Sequence, residues 1–455
     1  MSSSSLFQYG SPPLMREITQ FTYDENDELL RRIKDHADRS VLSVDPLEPS
    51  VERALAVSNG CPPLETAAEA ILLNDMFALF LSSSESGQVI AVSGGFRVGN
   101  DREYHVVGAG NAGSEGVSRP DDGLCAKLER ACSNFISSNT GPLNPGDKST
   151  SEVLIAALDI SHAKVLNRLD TIRINTNPDI SPTTNVHALP EQGLQPWRHF
   201  YRYMTLLRVC LRLWEVPQSE EERTRVAVLY GQFLKAASEV WDKTKDPGRT
   251  SLELHEVYIR GFNSIAKGLH LLRNFPTGTR VVFDWPQGPV NGDRFRIGDY
   301  QWANAHLYTN CQLHCEIYLA LHILFSNSDV CFHSFLVDEG KRVHIIGCSK
   351  PSCLPCWNIL LGLSTRQILN HPIYTCRTGN VNGRCYDTWG LTPYAETLPM
   401  SLFQAITGSK KADMLESLRR ALKHTLHTFR WRWPLFQNNF GYMLGPIAPQ
   451  WYWNV

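Results

Sequence analysis

The chain has 455 residues, a formal net charge of −2 and a composition that is 42% hydrophobic and 20% charged. This length can bury a substantial core and exceeds one ordinary domain, so two domains are the expectation. The near-neutral charge excludes a strong overall attraction to nucleic acid. No run reaches the roughly 18 apolar residues of a membrane-spanning helix, and the N-terminal residues lack the pattern of a secretory signal. We therefore expect a soluble, cytoplasmic protein that does not bind membranes.

Composition and periodicity divide the chain into four parts. Residues 1–20 are rich in Ser and Pro and are expected to be disordered. Residues 21–275 predict a mainly helical accessory region, with Gly- and Ser-rich loops over 85–146. Residues 276–400 predict an α/β domain, and residues 401–455 predict a C-terminal helix followed by an aromatic tail.

The accessory region contains several runs in which apolar residues recur at helical spacing. These runs cover residues 63–83, 151–172, 196–215, 220–243 and 251–275. They predict a helical bundle that packs on the later domain. Their aromatic residues could also form a surface for base stacking, but a buried core is the favoured interpretation.

Residues 108–113 (GAGNAG) match the pattern GxGxxG and follow a strand-like run. A dinucleotide site needs a helix to begin at that turn. Ser114, Gly116 and Pro120 follow instead, so the helix that would bind phosphate is missing. We interpret this segment as a flexible glycine turn rather than a dinucleotide site.

Residues 276–400 alternate between strand-like and helical patterns. The run RVVFD at Arg280–Asp284 predicts a strand, and a helix is predicted to begin near residue 314. Strands are then predicted over 330–337 and 343–347, followed by a helix that begins near residue 353. This order is what a three-layer α/β core requires.

Two short motifs lie at the starts of those helices: HCE at residues 314–316 and CLPC at residues 353–356. Zinc prefers thiolate and imidazole ligands in a tetrahedron, and a catalytic site leaves one position for water. His314, Cys353 and Cys356 would supply three ligands. Glu316 would lie beside the water as a general acid and base. A helix N-terminus also favours the thiolate form of cysteine.

This arrangement resembles the zinc-dependent deaminases of the cytidine deaminase superfamily, with their H-x-E…P-C-x-x-C signature. More narrowly, GCSKPSCLPC at residues 347–356 looks like a divergent, largely fungal deaminase family. The run RTGNVNG at 377–383 and the later Trp389 are similar to that family's downstream loop. Ser352 occupies a position where better-known deaminases have proline, although serine is typical of the narrower family. The resemblance covers roughly residues 300–395.

The resemblance implies a cytidine-deaminase-like core with a mixed sheet, and zinc between two helices. It implies a hydrolase of nucleotide metabolism that deaminates an amino-bearing base, nucleoside, nucleotide or related heterocycle, including a base of nucleic acid. Zinc would be held by His314, Cys353 and Cys356, and Glu316 would pass the water proton to the ring nitrogen and the departing ammonia. A polar loop at 371–392 would lie over the site.

Other interpretations stay open. A CxxC pair is also typical of reduced thiols, redox motifs and structural zinc sites, and an inactive zinc module could take a fourth ligand from Cys315 or Cys348. The arginine- and aromatic-rich tail from residue 429 could bind single-stranded nucleic acid, as in an editing protein, but a tail folded on the domain is favoured. His424 and His427 could bind a metal, although no third ligand is apparent.

Overall fold

The structure is a computed structural model that describes residues 31, 51, 54–56, 64–83, 89–111, 120–138, 144–175, 191–244, 254–286, 313–338, 341–367, 371–379, 381, 385–386, 389, 406 and 408–431. The predictions for residues 1–20 and for the aromatic tail beyond residue 431 lie outside these residues. Within the described part, no helix is both long enough and apolar enough to cross a bilayer.

The described residues form helices and strands throughout the chain. The strands are β1 (Leu55–Ala56), β2 (Ile90–Arg97), β3 (Asn100–Gly110), β4 (Arg280–Asp284), β5 (Val330–Phe332), β6 (Ser334–Asp338), β7 (Lys341–Cys348) and β8 (Ile373–Thr378). The helices are α1 (Ala67–Phe80), α2 (Asp122–Ser137), α3 (Lys148–Asn175), α4 (Glu191–Leu211), α5 (Glu220–Thr244), α6 (Leu254–Arg273), α7 (Cys315–Phe325), α8 (Leu354–Gly362) and α9 (Ser409–Trp431). The predicted order of β4, α7, β7 and α8 is confirmed.

The strands form one mixed sheet. Its order is β1-β6-β7-β2-β3-β4, with β5 also paired to β2 and β8 to β7. Strands β2 and β3 are antiparallel, as are β6 and β7. The β3–β4 and β7–β8 pairs are parallel, and α8 connects β7 to β8 as the crossover that parallel strands require. The predicted α/β fold with a mixed sheet and a helical N-terminal region is confirmed.

Strand β7 is held closely against helix α1. The side-chain amide of Asn74 donates to the carbonyl oxygen of Ile345 over 2.9 Å. At Gly347 a Cβ atom would lie 2.2 Å from the carbonyl carbon of Asn74, a distance that real Cβ atoms do not adopt, so only glycine allows this approach. The contact fixes where β7 ends, and β7 leads directly into the CxxC motif.

The N-terminal helices and the sheet share a hydrophobic core. It contains Phe77 of α1, Tyr104 of β3 and Phe275 beyond α6, together with Phe335 and Val343 from the later strands. Every helical run predicted between residues 63 and 275 forms a helix, and these helices pack on the later strands as expected. Strands from both sides of residue 276 lie in the same sheet. The domain boundaries drawn from composition stay predictions.

A second core lies around α7, α8 and α9. It includes Tyr318, Leu360 and Leu422. Gly362 lies so close to Ala421 that a Cβ would be 2.5 Å from the Cα of that residue. The C-terminal helix begins at Ser409 instead of residue 401, after Gly408, whose φ of +56° is left-handed.

Two loop predictions are wrong. The supposed glycine turn begins inside β3, where Gly108 pairs with Val92 and Gly110 with Ile90. A Cβ at Gly108 would lie 2.9 Å from the ring of Trp285, so the glycine makes room for an aromatic side chain and not for a turn. The polar loop predicted from residue 371 contains β8. Ile373, Tyr374 and Thr375 are residue types that favour strands, and parallel pairing with β7 satisfies the backbone.

Candidate metal and catalytic site

Four side chains from two motifs meet at one point. One ligand atom from each of His314, Glu316, Cys353 and Cys356 lies within 4.8 Å of the others. All four residues are buried. The structure therefore brings together the whole set of site residues that the sequence predicted, while their roles as ligands and as acid and base stay predictions.

Helix α7 begins at this point. His314 is its N-cap residue, with extended backbone (φ −75°, ψ 147°), and it makes no capping bond through its side chain, so the imidazole stays available. Its carbonyl oxygen accepts the backbone N–H groups of Ile317 and Tyr318, both over 3.1 Å. Because Glu316 lies in the first turn of the helix, its side chain can reach back beside the imidazole.

A residue far away in sequence fixes the start of α7. The Oδ1 atom of Asn111, just after β3, accepts the backbone N–H of Cys315 over 2.6 Å. The thiol of Cys315 donates to the Oε2 atom of Glu316 over 3.3 Å. Asn111 thus satisfies a backbone donor that a helix start leaves unpaired, and Cys315 orients the carboxylate.

Helix α8 holds the two cysteines in the same way. Cys353 is the N-cap residue, Pro355 lies in the first turn, and Cys356 follows one position later. Proline is favoured here because the first N–H groups of a helix have no intrahelical acceptor. Both thiols therefore lie at the helix N-terminus, whose partial positive charge favours thiolate.

The segment between β7 and α8 is anchored by hydrogen bonds. The N–H of Ser349 donates to the Ile90 carbonyl over 2.8 Å, and the Ile90 N–H donates to Ser349 Oγ over 2.9 Å. The hydroxyl of buried Ser352 donates to Thr378 Oγ1 over 3.0 Å. Proline at position 352 could not form this bond to β8. Ser352, which stands where the common deaminase signature has proline, therefore has a structural role.

The two thiols differ in acidity. Burial opposes ionisation of Cys353, but a hydrogen bond from Cys356 and the nearby His314 together lower the pKa of Cys353 to about 6. Burial and the neighbouring Cys353 hold the pKa of Cys356 well above its usual range. Burial acts against the charged imidazole of His314, but Cys353 and Glu316 leave the pKa of His314 raised. Negative charge thus concentrates at Cys353, beside a partner that can carry a proton.

The geometry suits a tetrahedral zinc ion. Nitrogen and sulfur ligands at typical zinc distances would be about 3.6 Å apart on adjacent corners of a tetrahedron. The Nδ1 atom of His314 and the Sγ atom of Cys353 are 3.5 Å apart. Two thiolates and one imidazole are a donor set that zinc favours. His314, Cys353 and Cys356 would hold the metal, and the Glu316 carboxylate lies next to them.

Trp389 completes the surroundings of Cys356. Its indole N–H donates to the Cys356 sulfur over 3.2 Å, and its ring is fully buried. The ring centroid of Tyr386 lies 6.2 Å from that of His314. The sequence marked Trp389 only as part of a loop and gave no signal for Asn111, because neither residue belongs to a spaced ligand motif.

Other candidate ligands lie elsewhere. Cys315 and Cys348 are near the site but do not join the group of four. His424 and His427 lie on the exposed face of α9, and in the described part of the chain they belong to no group of three or more metal-binding side chains. The interpretation that disfavoured these histidines as a metal site agrees with their position.

A family model described as "OTT_1508-like deaminase" matches residues 313–393. The matched segment begins at the residue before His314 and extends past Trp389, so it contains all four clustered side chains. No match was found among curated proteins or among solved structures. The match agrees with the resemblance to a deaminase, while the narrower links to the cytidine deaminase superfamily and to a fungal family stay predictions. Over residues 313–393, the chain is similar to a deaminase.

Proposed function

We propose that the protein is a zinc-dependent hydrolytic deaminase that acts on an amino-bearing heterocycle. The observation that carries the proposal is the meeting of His314, Glu316, Cys353 and Cys356 at the starts of two facing helices. This donor set supports zinc as the cofactor. The similarity of residues 313–393 to a deaminase supports the reaction.

Bound zinc would supply the Lewis acidity that makes water nucleophilic near neutral pH. His314, Cys353 and Cys356 would hold the metal, and the Glu316 carboxylate lies within 4.8 Å of their three ligand atoms. The Glu316 carboxylate would accept one proton from the attacking water and deliver it to the ring nitrogen. It would then carry the remaining hydroxyl proton to the amino group, which departs as ammonia when the C–N bond breaks. The thiol of Cys315, 3.3 Å from Glu316 Oε2, positions the carboxylate for this work.

The fourth member of the group favours a catalytic site over a structural zinc module. A closed structural site is usually completed by a cysteine or histidine. Here the fourth group is the Glu316 carboxylate, while Cys315 and Cys348 stand outside the cluster in the described part of the chain. The substrate class we propose is a base, nucleoside, nucleotide or related heterocycle, or a base within nucleic acid.

The experiment that tests the proposal compares the wild type with Glu316→Gln. Ammonia release is measured with cytosine, adenine and guanine compounds, each offered as free base, nucleoside, 5′-monophosphate and single-stranded oligonucleotide. We expect at least one class to yield ammonia and the Glu316→Gln variant to lose activity by roughly 10²- to 10⁴-fold, the usual contribution of a general acid–base group. Zinc content should be unchanged in the variant. Full activity in Glu316→Gln would rule out the proposed mechanism. A wild-type protein that contains zinc but releases no ammonia from any of these compounds would favour the structural module.

A further inference from the structure

A cavity lies at the end of β7, where α1, α3 and α6 meet the segment that leads to the CxxC motif. Its lining includes Asp75 of α1, Arg168 of α3, and Tyr258 and Arg260 of α6, together with residues 348–351. The empty space is about 380 Å³, counting the open solvent at the mouth. The four clustered residues of the candidate metal site do not line it.

Positive charge dominates this cavity. Arg168, Arg260 and Lys350 line it, and Lys164 lies one turn before Arg168 on α3. Asp75 is the one acidic residue among the described residues of the lining. Burial raises the pKa of Asp75 to about 7, although the Cys348 N–H and the two arginines act in the opposite direction. Near neutral pH this carboxyl group is only partly ionised, so it offsets only part of one positive charge.

The cations also repel one another. Burial, followed by the charges of Lys350 and Arg168, lowers the pKa of Lys164 to about 7. Burial and Arg168 lower the pKa of Lys350. The Lys350 ammonium forms no hydrogen bond or ion pair with the part of the chain that the structure describes. Cations crowded away from water without an equal negative charge are unfavourable, and a bound anion would relieve this cost.

The two arginines already have structural contacts that fix their positions. A guanidinium N–H of Arg168 donates to the Ser349 carbonyl, and the guanidinium lies 5.7 Å from the ring centroid of Tyr258. Arg260 donates to the Gly379 carbonyl over 3.4 Å. A guanidinium has five N–H donors, so the bond from Arg168 to Ser349 leaves donors on Arg168 for a ligand. Lys350 makes no such contact with the described residues, so a substitution there tests ligand binding most directly.

We propose that this cavity binds the phosphate group of a small molecule, held by Lys350, Arg168 and Arg260. Arginine forks and a lysine ammonium match the tetrahedral oxygens of phosphate, and a dianion balances several cations better than a carboxylate does. The inference goes beyond the proposed deamination, because the site lies outside the four clustered residues and requires no reaction. Binding would place the anion against residues 348–351, which directly precede Ser352 and Cys353.

The test is calorimetric titration of the purified 455-residue chain with inorganic phosphate, at constant ionic strength set with chloride. We expect saturable binding of one phosphate per chain. Lys350→Gln should weaken binding by about tenfold or more, the usual effect of losing a charge-assisted hydrogen bond, and Lys350→Glu should abolish it. Lys235→Gln, which removes an exposed lysine on α5, is the matched control and should bind like the wild type.

Thermal unfolding of each variant, followed by circular dichroism, establishes that it is folded before the titration. The proposal is overturned if wild type shows no saturable binding, or if folded Lys350→Gln binds phosphate as tightly as Lys235→Gln does. A competition arm identifies the source of the phosphate. If a nucleoside 5′-monophosphate displaces phosphate from the wild type and binds poorly to Lys350→Gln, the ligand is a nucleotide. If only inorganic phosphate binds in a way that depends on Lys350, the ligand is the free anion. Either result supports the phosphate site, and neither depends on ammonia release.

Discussion

The Oδ1 atom of Asn111 accepts a 2.6 Å hydrogen bond from the backbone N–H of Cys315, although 204 positions separate the two residues. This bond joins the end of β3 to the first residue of α7. His314 and Glu316 flank the bonded residue on either side. The direction in which both side chains point is therefore fixed by the sheet and not only by the helix that carries them.

Asn111→Ala should destabilise the protein and weaken metal binding together. The substitution leaves the buried N–H of Cys315 without its acceptor, which typically costs about 1–3 kcal/mol. The measurements are the thermal midpoint and the zinc affinity from competition with a chelator. Asn100→Ala is the control. Asn100 begins the strand that Asn111 follows, is exposed, and within the described part of the chain its side chain bonds locally to the Arg102 N–H and to Glu103. Equal midpoints and affinities for the two variants would contradict the assigned role of Asn111.

Zinc content should follow the CxxC motif. Elemental analysis of the wild type should find about one zinc per chain, the content of a mononuclear site. The double variant Cys353→Ser/Cys356→Ser should contain none, because serine is a poor ligand for zinc. Cys210→Ser alters a half-buried cysteine on α4, distant in sequence from the motif, and should keep the metal. If wild-type protein prepared without chelators contained no zinc, the motif would be a pair of ordinary thiols.

Trp389→Phe should weaken zinc binding without emptying the site. The change keeps a buried aromatic ring but removes the indole N–H that donates to Cys356 over 3.2 Å. Loss of a hydrogen bond to a metal ligand commonly lowers metal affinity by about 10- to 100-fold. Chelator competition gives that affinity.

Trp285→Phe provides the comparison for Trp389. The indole nitrogen of Trp285 is buried and has no hydrogen-bond partner in the described structure, so its loss should leave zinc affinity unchanged. Similar affinities in the two variants would mean that the N–H of Trp389 has no role in holding the metal.

Two neighbouring histidines should make stability depend on pH. Burial lowers the pKa of His333 and of His344 to about 4, and the Nδ1–H of His344 donates to the His333 carbonyl over 2.9 Å. Above about pH 6.5 both groups are neutral in the folded and unfolded chains. As the pH is lowered from about 6.5 to 4, the histidines of the unfolded chain bind protons before those of the folded chain do. The free energy of unfolding therefore falls by up to about 1.4 kcal/mol per pH unit for each histidine.

The variant His333→Phe tests this dependence. Phenylalanine keeps the ring that packs near Phe96 and Tyr104 and removes a buried Nε2 atom that has no hydrogen-bond partner in the described structure. Urea midpoints at pH 7 and pH 5 should differ less in this variant than in the wild type. His199→Gln, at an exposed position on α4, should keep the wild-type difference. A variant with the wild-type pH dependence would show that His333 is not a source of the acid sensitivity.

The sequence by itself determined the local features of this protein. The helix starts at His314 and Cys353, and the strand before the CxxC motif, follow from the spacing of apolar residues. That spacing reflects interactions between residues only a few positions apart. The ligand types and their spacing likewise predicted a single cluster of zinc-binding residues. The structure brings those predicted residues together.

Only the tertiary structure decided the contacts between distant segments. Nothing local to Asn111 or Trp389 marks them as partners of Cys315 and Cys356, and the glycines of β3 resemble a turn until Trp285 is packed against Gly108. The cations around Lys350 come from separate elements, so their crowding exists only in the folded chain. Such contacts arise from strand pairing and core packing, and these join residues whose separation along the chain leaves no periodic signal.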